Sequence, residues 1–428
     1  MFNARDSRVK TELLRRQWDG IPHTCLAGRP GDMKIDYSIR IGAILGFLST
    51  LVSIGAAEWI PTPAPAKSWT AITCSADGKK VVALSYPDSI WTSTNGGLAW
   101  TSNAVANGYW YAVASSAEGN NLVACVNDSD KGIYTSSNSG RDWVLINTNG
   151  YWRSVASSAD GRRLAAVGAR GIFTSSDFGS SWRSNSMPGL TSTPNAVASS
   201  ADGMKLACAE RKGIYTSTNA GVTWISNSTP ALKSTQGWWT IACSADGKTV
   251  VAPVSGNGEP GAIYTSKDFG QTWVSNNAPL EYWNSAACSA DGNRLFAVAS
   301  HIGLYTSPNA GATWVSNDLA GVSHLASSAD GNRQFATATT DSLHGLASIF
   351  ISETTVAPVL GVEKLGNDVV LSWIVPSKDF RLQAIPDLSG TNWQDLNTPP
   401  TLNLHNIHHE LVLPPLGTGN AFRLKSVE

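Results

Sequence analysis

A chain of 428 residues with 15% charged side chains and a net charge of −1 lacks the basic excess that holds nucleic-acid phosphates or anionic membranes. Nucleic acid is thereby excluded as a partner. The 39 Gly and 17 Trp, set among abundant Ser, Thr and Asn, instead fit many short strands joined by tight turns and packed by aromatics, an all-β composition.

In chain order, the first distinct segment is an uncharged run at 41–57 (IGAILGFLSTLVSIGAA) preceded by Lys34 and Arg40. It reads as the core of a signal peptide, with small residues Gly55 and Ala57 before a cut at Glu58, and it is somewhat short for a span of ~20 residues. Export to a secreted, extracellular or periplasmic location is expected of a bacterial chain of this kind, and no membrane span is expected in the mature protein. The charged stretch before Met33 does not suit a signal peptide, so translation is expected to start at Met33.

From residue 58 the chain repeats itself, the mark of a modular architecture. A Ser-Ala-Asp-Gly turn recurs with its acid at Asp77, Glu118, Asp160, Asp202, Asp246, Asp291 and Asp330, spaced 41, 42, 42, 44, 45 and 39 residues. Six residues after each acid stands a small residue: Ala83, Ala124, Ala166, Cys208, Ala252, Ala297 and Ala336. A second motif, S-x-[DN]-x-G-x-x-W, follows in six copies centred on Asn95, Asn138, Asp177, Asn219, Asp268 and Asn309. Its acid or amide suits the turn backbone, its Gly a positive φ, and its Trp the packing between sheets.

This second motif resembles the Asp-box, or bacterial neuraminidase repeat, of sialidase-like, sortilin-type and photosystem II assembly-factor propellers. The resemblance implies a seven-bladed β-propeller over 58–354, each blade a four-stranded meander of about 42 residues. The last unit loses its box after 348–354, while 58–66 (EWIPTPAPA) parallels 223–231 (TWISNSTPA), so the N-terminal segment is expected to supply the missing fourth strand and close the ring.

Cys74, Cys243 and Cys288 share one repeat position, held by Ser elsewhere, and equivalent positions in a ring lie too far apart to bridge. With Cys125 and Cys208 they are expected to be small buried residues.

In such a ring the Ser-Ala-Asp-Gly turns and the boxes share one face and read as scaffold. The opposite loops differ in every unit and present Asp88, Asp128, Arg170, Glu210, Glu259 and His301, polar groups on a rigid frame where binding usually resides. Five indoles, Trp69, Trp110, Trp152, Trp238 and Trp283, each stand eight residues before a turn acid. Two readings are open for them: a channel mouth that stacks on sugar rings, or wedges between neighbouring blades.

Sialidase likeness would imply an arginine triad, a Tyr/Glu nucleophile pair and an early [FY]-R-[IL]-P segment. That segment is missing, the ring's arginines stand largely at turns (Arg162, Arg163, Arg294 and Arg333), and Arg153 and Arg170 can face the loop side, two where a triad needs three. Asp128-Ser-Asp130 is a fragment of a calcium loop without its other ligands, and His405, His408, His409 and Glu410 fall in a polar loop. No catalytic set, metal or cofactor is expected.

Residues 356–428 leave the repeat and offer five strand-like runs, expected to form a small β-sandwich resembling fibronectin-like modules. The whole is expected to be a monomeric, non-catalytic binding or scaffold propeller whose loop face meets a glycan or protein ligand. The alternatives are an exo-acting glycoside hydrolase of sialidase-like fold and an assembly-factor-like protein binder.

Overall fold

The computed structural model describes residues 58–428 apart from 88, 104, 106–107, 129–131, 148–149, 257–258, 301, 318, 339–346, 355, 367, 386–391, 415–419 and 428. The expected signal peptide and the start at Met33 lie outside these residues. The described chain is all strand and turn, and none of it is a helix long and apolar enough to cross a membrane.

The first repeat shows how the sequence makes a sheet. Strands β2 (Ser68–Cys74), β3 (Val81–Tyr86), β4 (Ser89–Ser93) and β5 (Thr101–Asn103) pair antiparallel in sequence order. The β3 run VVALS is buried throughout, without the alternation of a half-exposed strand, because another sheet covers each of its faces. The small residue on this strand lets the layers approach, and all seven, from Ala83 to Ala336, are fully buried.

Six further antiparallel sheets follow the same plan, and the last is made from both ends of the repeat region. Strand β1 (Trp59–Pro61) pairs with Ser348–Glu353, Trp59 opposite Ser352 and Pro61 opposite Phe350. The segment expected to close the ring therefore does supply the fourth strand. One cycle of hydrogen bonds links all seven units: the amide of Ala76 donates to the carbonyl of Ala117, then Ala117 to Ala159, Ala201, Ala245, Ala290 and Ala329 in turn, and Ala329 back to Ala76, at 2.7–2.9 Å. The alanine of each Ser-Ala-Asp-Gly turn thus belongs to a closed belt around the axis.

The C-terminal segment forms two sheets. One runs Gly361–Leu365, Asp368–Ile374, His408–Leu413, Thr401–Asn403; the other runs Gln394–Asp395, Phe380–Ile385, Ala421–Ser426. Leu371, Trp373, Leu382 and Leu411 bury one cluster between them.

This segment docks on the face read from sequence as scaffold alone. Ile407 packs with Val375 against Ala159 and Ala201, with the other belt alanines around them, where burying its side chain contributes about 1.5–3 kcal/mol. Around this plug, Ser377 donates its N–H and Oγ to Asp330 Oδ2 at 2.8 and 3.0 Å, Asn332 Nδ2 donates to the Val356 carbonyl at 2.8 Å, and Lys79 pairs with Asp379 at 3.1 Å.

Candidate functional site

The six boxes are built alike. Each Asn95-type Oδ1 accepts a Ser hydroxyl two residues back at 2.7–3.1 Å and the amide four residues on at 2.8–2.9 Å. Asn serves as well as Asp because only one acceptor oxygen is required. The turn also forces the residue after the acid or amide into the left-handed region: Ser139, Phe178, Ala220, Phe269 and Ala310 have φ of 53–60°. In the Asp boxes the carboxylate gathers extra donors. Ser181, through its Oγ and N–H, together with Ser175, holds Asp177 down at about 2.

At the other end of the sheets, the five repeat-position tryptophans do not face a ligand. Trp69, Trp110, Trp152, Trp238 and Trp283 are 0–1% exposed, so no indole face is left for stacking, and the channel-mouth reading is corrected. Each packs instead on an aromatic of the third strand of its own sheet, as Trp110 does on Tyr134 with centroids 5.0 Å apart and Trp152 on Phe173 at 5.3 Å. A side chain of this size repeated at one register is spent on packing between layers.

Their neighbours point the other way. Tyr109, Tyr151 and Tyr282, each immediately before a buried Trp, are 49%, 51% and 38% exposed, because successive residues of a strand face opposite sides. Their carbonyls accept the amides of Asn127, Ala169 and Ser300, which fixes all three at one register. Tyr86 packs on Tyr109 in a tilted pair with centroids 4.8 Å apart, and Tyr111 and Trp239 are exposed on the same end.

The next position along the repeat is also special. In five inner strands the pairing register slips there, leaving Thr70, Tyr111, Arg153, Asn284 and Ser323 as bulge residues. Bulges re-aim side chains at sheet ends. This position holds Thr, Tyr, Arg, Asn, Trp, Asn and Ser in the seven units, six residue types inside an otherwise repeated frame. Arg153 Nη1 donates to Asn195 Oδ1 at 2.7 Å, and Asn195 Nδ2 donates to the Trp238 carbonyl at 3.0 Å, so the cation is held across neighbouring sheets. The sequence signal for this surface was the Tyr-Trp pair at 109–110, 151–152 and 282–283, read for its second member only.

The expected loop residues divide. Glu210 is 1% exposed and accepts the hydroxyls of Thr191 (2.9 and 3.2 Å) and Ser192 (2.5 Å), pinning the link before its inner strand rather than facing a ligand. Glu259 pairs with Lys233 at 3.1 Å. Arg170 is exposed and Asp128 half-buried; Asp88 and His301 lie outside the described residues.

Among the described residues no three His, Cys, Asp or Glu side chains are placed to hold a metal. His408, His409 and Glu410, expected in a polar loop, instead pair with Asp368–Ile374 as a strand; Glu410 accepts the side-chain amides of Asn403 at 2.7 Å and Asn406 at 3.2 Å, and His409 packs on Trp373 with centroids 5.8 Å apart. Cys125 and Cys208 are fully buried, whereas Cys74, Cys243 and Cys288, expected to be buried, line a chamber under Ile407 and are only partly covered. Even so, the loss of bulk water around them inside the ring pushes the thiols of Cys74 and Cys243 up to about 12.

A family model described as BNR-Asp box repeat matches residues 263–275, one copy of the turn analysed above. No curated protein matches the chain. Among solved structures, YCF48 from Cyanidioschyzon merolae is 14% identical with a TM-score of 0.54, over 70% of this chain and 98% of that one. A structure of YCF48 bound to D1 peptide is 13% identical with a TM-score of 0.52, over 71% of this chain and 98% of that one. An ancestral GH74 enzyme is 16% identical with a TM-score of 0.53, over 75% of this chain, which spans 54% of the enzyme. These likenesses are of fold: the chain carries a β-propeller with Asp-box repeats.

Proposed function

We propose that the chain is a secreted, monomeric, non-catalytic binding protein: a seven-bladed propeller over 58–354, with a small β-sandwich at 356–428, that holds a protein segment on its loop face. The observation that carries this reading is the exposure of Tyr109, Tyr151 and Tyr282 at one register, beside Tyr86, Tyr111 and Trp239, above indoles that are wholly buried. Tyrosine offers a large rigid contact area at low entropic cost, and protein-binding surfaces favour it. The fold relative bound to D1 peptide supports a peptide-like occupant.

A glycan on the same face is the second reading, supported by the aptness of exposed aromatics for sugar rings. The GH74 fold relative keeps hydrolysis as a third, although Glu210, one of its few candidate acids, is committed to Thr191 and Ser192.

The test sets wild type against a Tyr109→Ala/Tyr151→Ala double variant on a peptide array, a glycan array and a fluorogenic-glycoside panel. Peptide retention by wild type and its loss in the variant, with Tm unchanged, is the expected result. Retention of glycans alone supports the second reading, and turnover of any glycoside overturns the non-catalytic one.

A further inference from the structure

On the face away from the tyrosines, a cleft of about 830 Å³ opens between the turns of the first two sheets and the C-terminal sheets. We propose that this cleft binds a short neutral oligosaccharide. The site is separate from the loop face and its proposed protein ligand.

Three observations converge on it. The first is a departure from the repeat. In six Ser-Ala-Asp-Gly turns the Ser hydroxyl donates to Asp Oδ1 at 2.5–2.7 Å, which commits that oxygen to the turn. The second unit alone carries Glu, and the longer Glu118 leaves this duty: Ser116 Oγ still accepts the Asn121 amide at 3.1 Å, while the exposed Glu118 carboxylate accepts Asn120 Nδ2 at 3.2 Å. Both Glu118 and Asn120 line the cleft.

The second is size. A volume of this order lies inside the range of roughly 300–1,000 Å³ typical of small-molecule sites, and two or three sugar units fit within it.

The third is the chemistry of the walls. Planar polar groups, the Glu118 carboxylate and the Asn397 amide, can meet paired hydroxyls, while Asn120 Oδ1, which accepts Lys80 Nζ at 2.5 Å and Ser139 Oγ at 3.1 Å, holds the wall in place. Phe380 and His409, the latter backed by Trp373, supply an apolar side for the C–H face of a sugar ring. The four acidic and four basic side chains around the cleft cancel, and two of the pairs are already closed, Lys79 with Asp379 and Arg381 with Asp395, each at 3.1 Å. A site without net charge selects a neutral ligand.

The experiment titrates the full chain by calorimetry with cellobiose, maltotriose, chitobiose and mannobiose. One of these is expected to bind saturably, and Glu118→Asp, which restores the residue of the sister turns, and Asn397→Ala are each expected to weaken it by about tenfold or more without lowering Tm. Tyr109→Ala/Tyr151→Ala should leave this binding intact, so the two sites succeed or fail independently. No saturable binding by about 10 mM of any of the four sugars, or binding that survives both cleft substitutions, overturns the proposal.

Discussion

The amide of Val375 donates to the carbonyl of Ile407 at 3.0 Å, and Ile407 itself sits at a left-handed φ of 58°. A β-branched residue is costly in that region, by about 1–2 kcal/mol, and here the same residue is the plug that fills the alanine belt. Docking of the C-terminal sheets on the ring thus rests on one side chain held in an unfavourable backbone by its neighbours.

Ile407→Ala is expected to destabilise the docked state by about 2–4 kcal/mol through lost burial. It should also admit reagent to the chamber beneath: Cys74, Cys243 and Cys288 label faster with a maleimide in the folded protein, while Cys125 and Cys208 stay protected. Mass spectrometry of labelled peptides checks both halves, and an unchanged labelling rate would remove the role of Ile407 as a barrier.

Removal of residues 58–66 takes away the strand paired with Ser352, Ile351 and Phe350 and the partly buried Trp59 packed beside Phe350. A loss of about 3 kcal/mol or more is expected, comparable to deleting a core aromatic, and it exposes a sheet edge that promotes association. Denaturant melts and light scattering of the truncated chain report these two effects; a full-stability monomer contradicts them.

The Asp and Asn boxes should respond differently to acid. Asp177 titrates near about 2 when folded, against ~3.9 unfolded, so its stabilisation is full above about pH 4 and is lost as pH falls toward 2. Asp268 is depressed for the same reason, through Thr272. The double variant Asp177→Asn/Asp268→Asn, copying the other four boxes, is expected to flatten the fall in Tm across this window.

His324 gives a second window. Burial lowers its imidazole to about 4, from ~6.5 unfolded, so stability is full above pH 6.5 and declines as pH falls toward 4. His324→Ala, placing there the residue found at Ala71 and Ala112, should make the decline between pH 6.5 and 4 shallower in thermal melts, the remainder coming from His409, which burial also lowers.

Substituting the buried Trp110 or Trp152 with Ala should cost about 3–5 kcal/mol, whereas Tyr109→Ala or Tyr151→Ala should change stability by no more than about 0.5 kcal/mol. Urea denaturation of the four single variants separates the packing residue from the presented one at each Tyr-Trp pair.

The sequence alone determined the repeat, its register and its closure. Strand pairing and turn chemistry are local, and the spacing of Asp77, Glu118 and Asp160 carries them directly. It also held, unread, the sign of the loop face, since alternation along a strand dictates that Tyr109 faces out once Trp110 faces in. What only the tertiary structure decided was where large side chains end and what covers them. Trp69 and Trp283 look alike whether they are packed or presented, because composition does not reveal which surface meets a neighbouring sheet. Glu210 reads as a loop acid until Thr191 and Ser192, 19 and 18 residues away, close on it. Nothing in the belt of alanines announces that Ile407, more than 70 residues beyond the last of them, will cover it. That contact joins two segments with no shared pattern, and their complementarity exists only after both have folded.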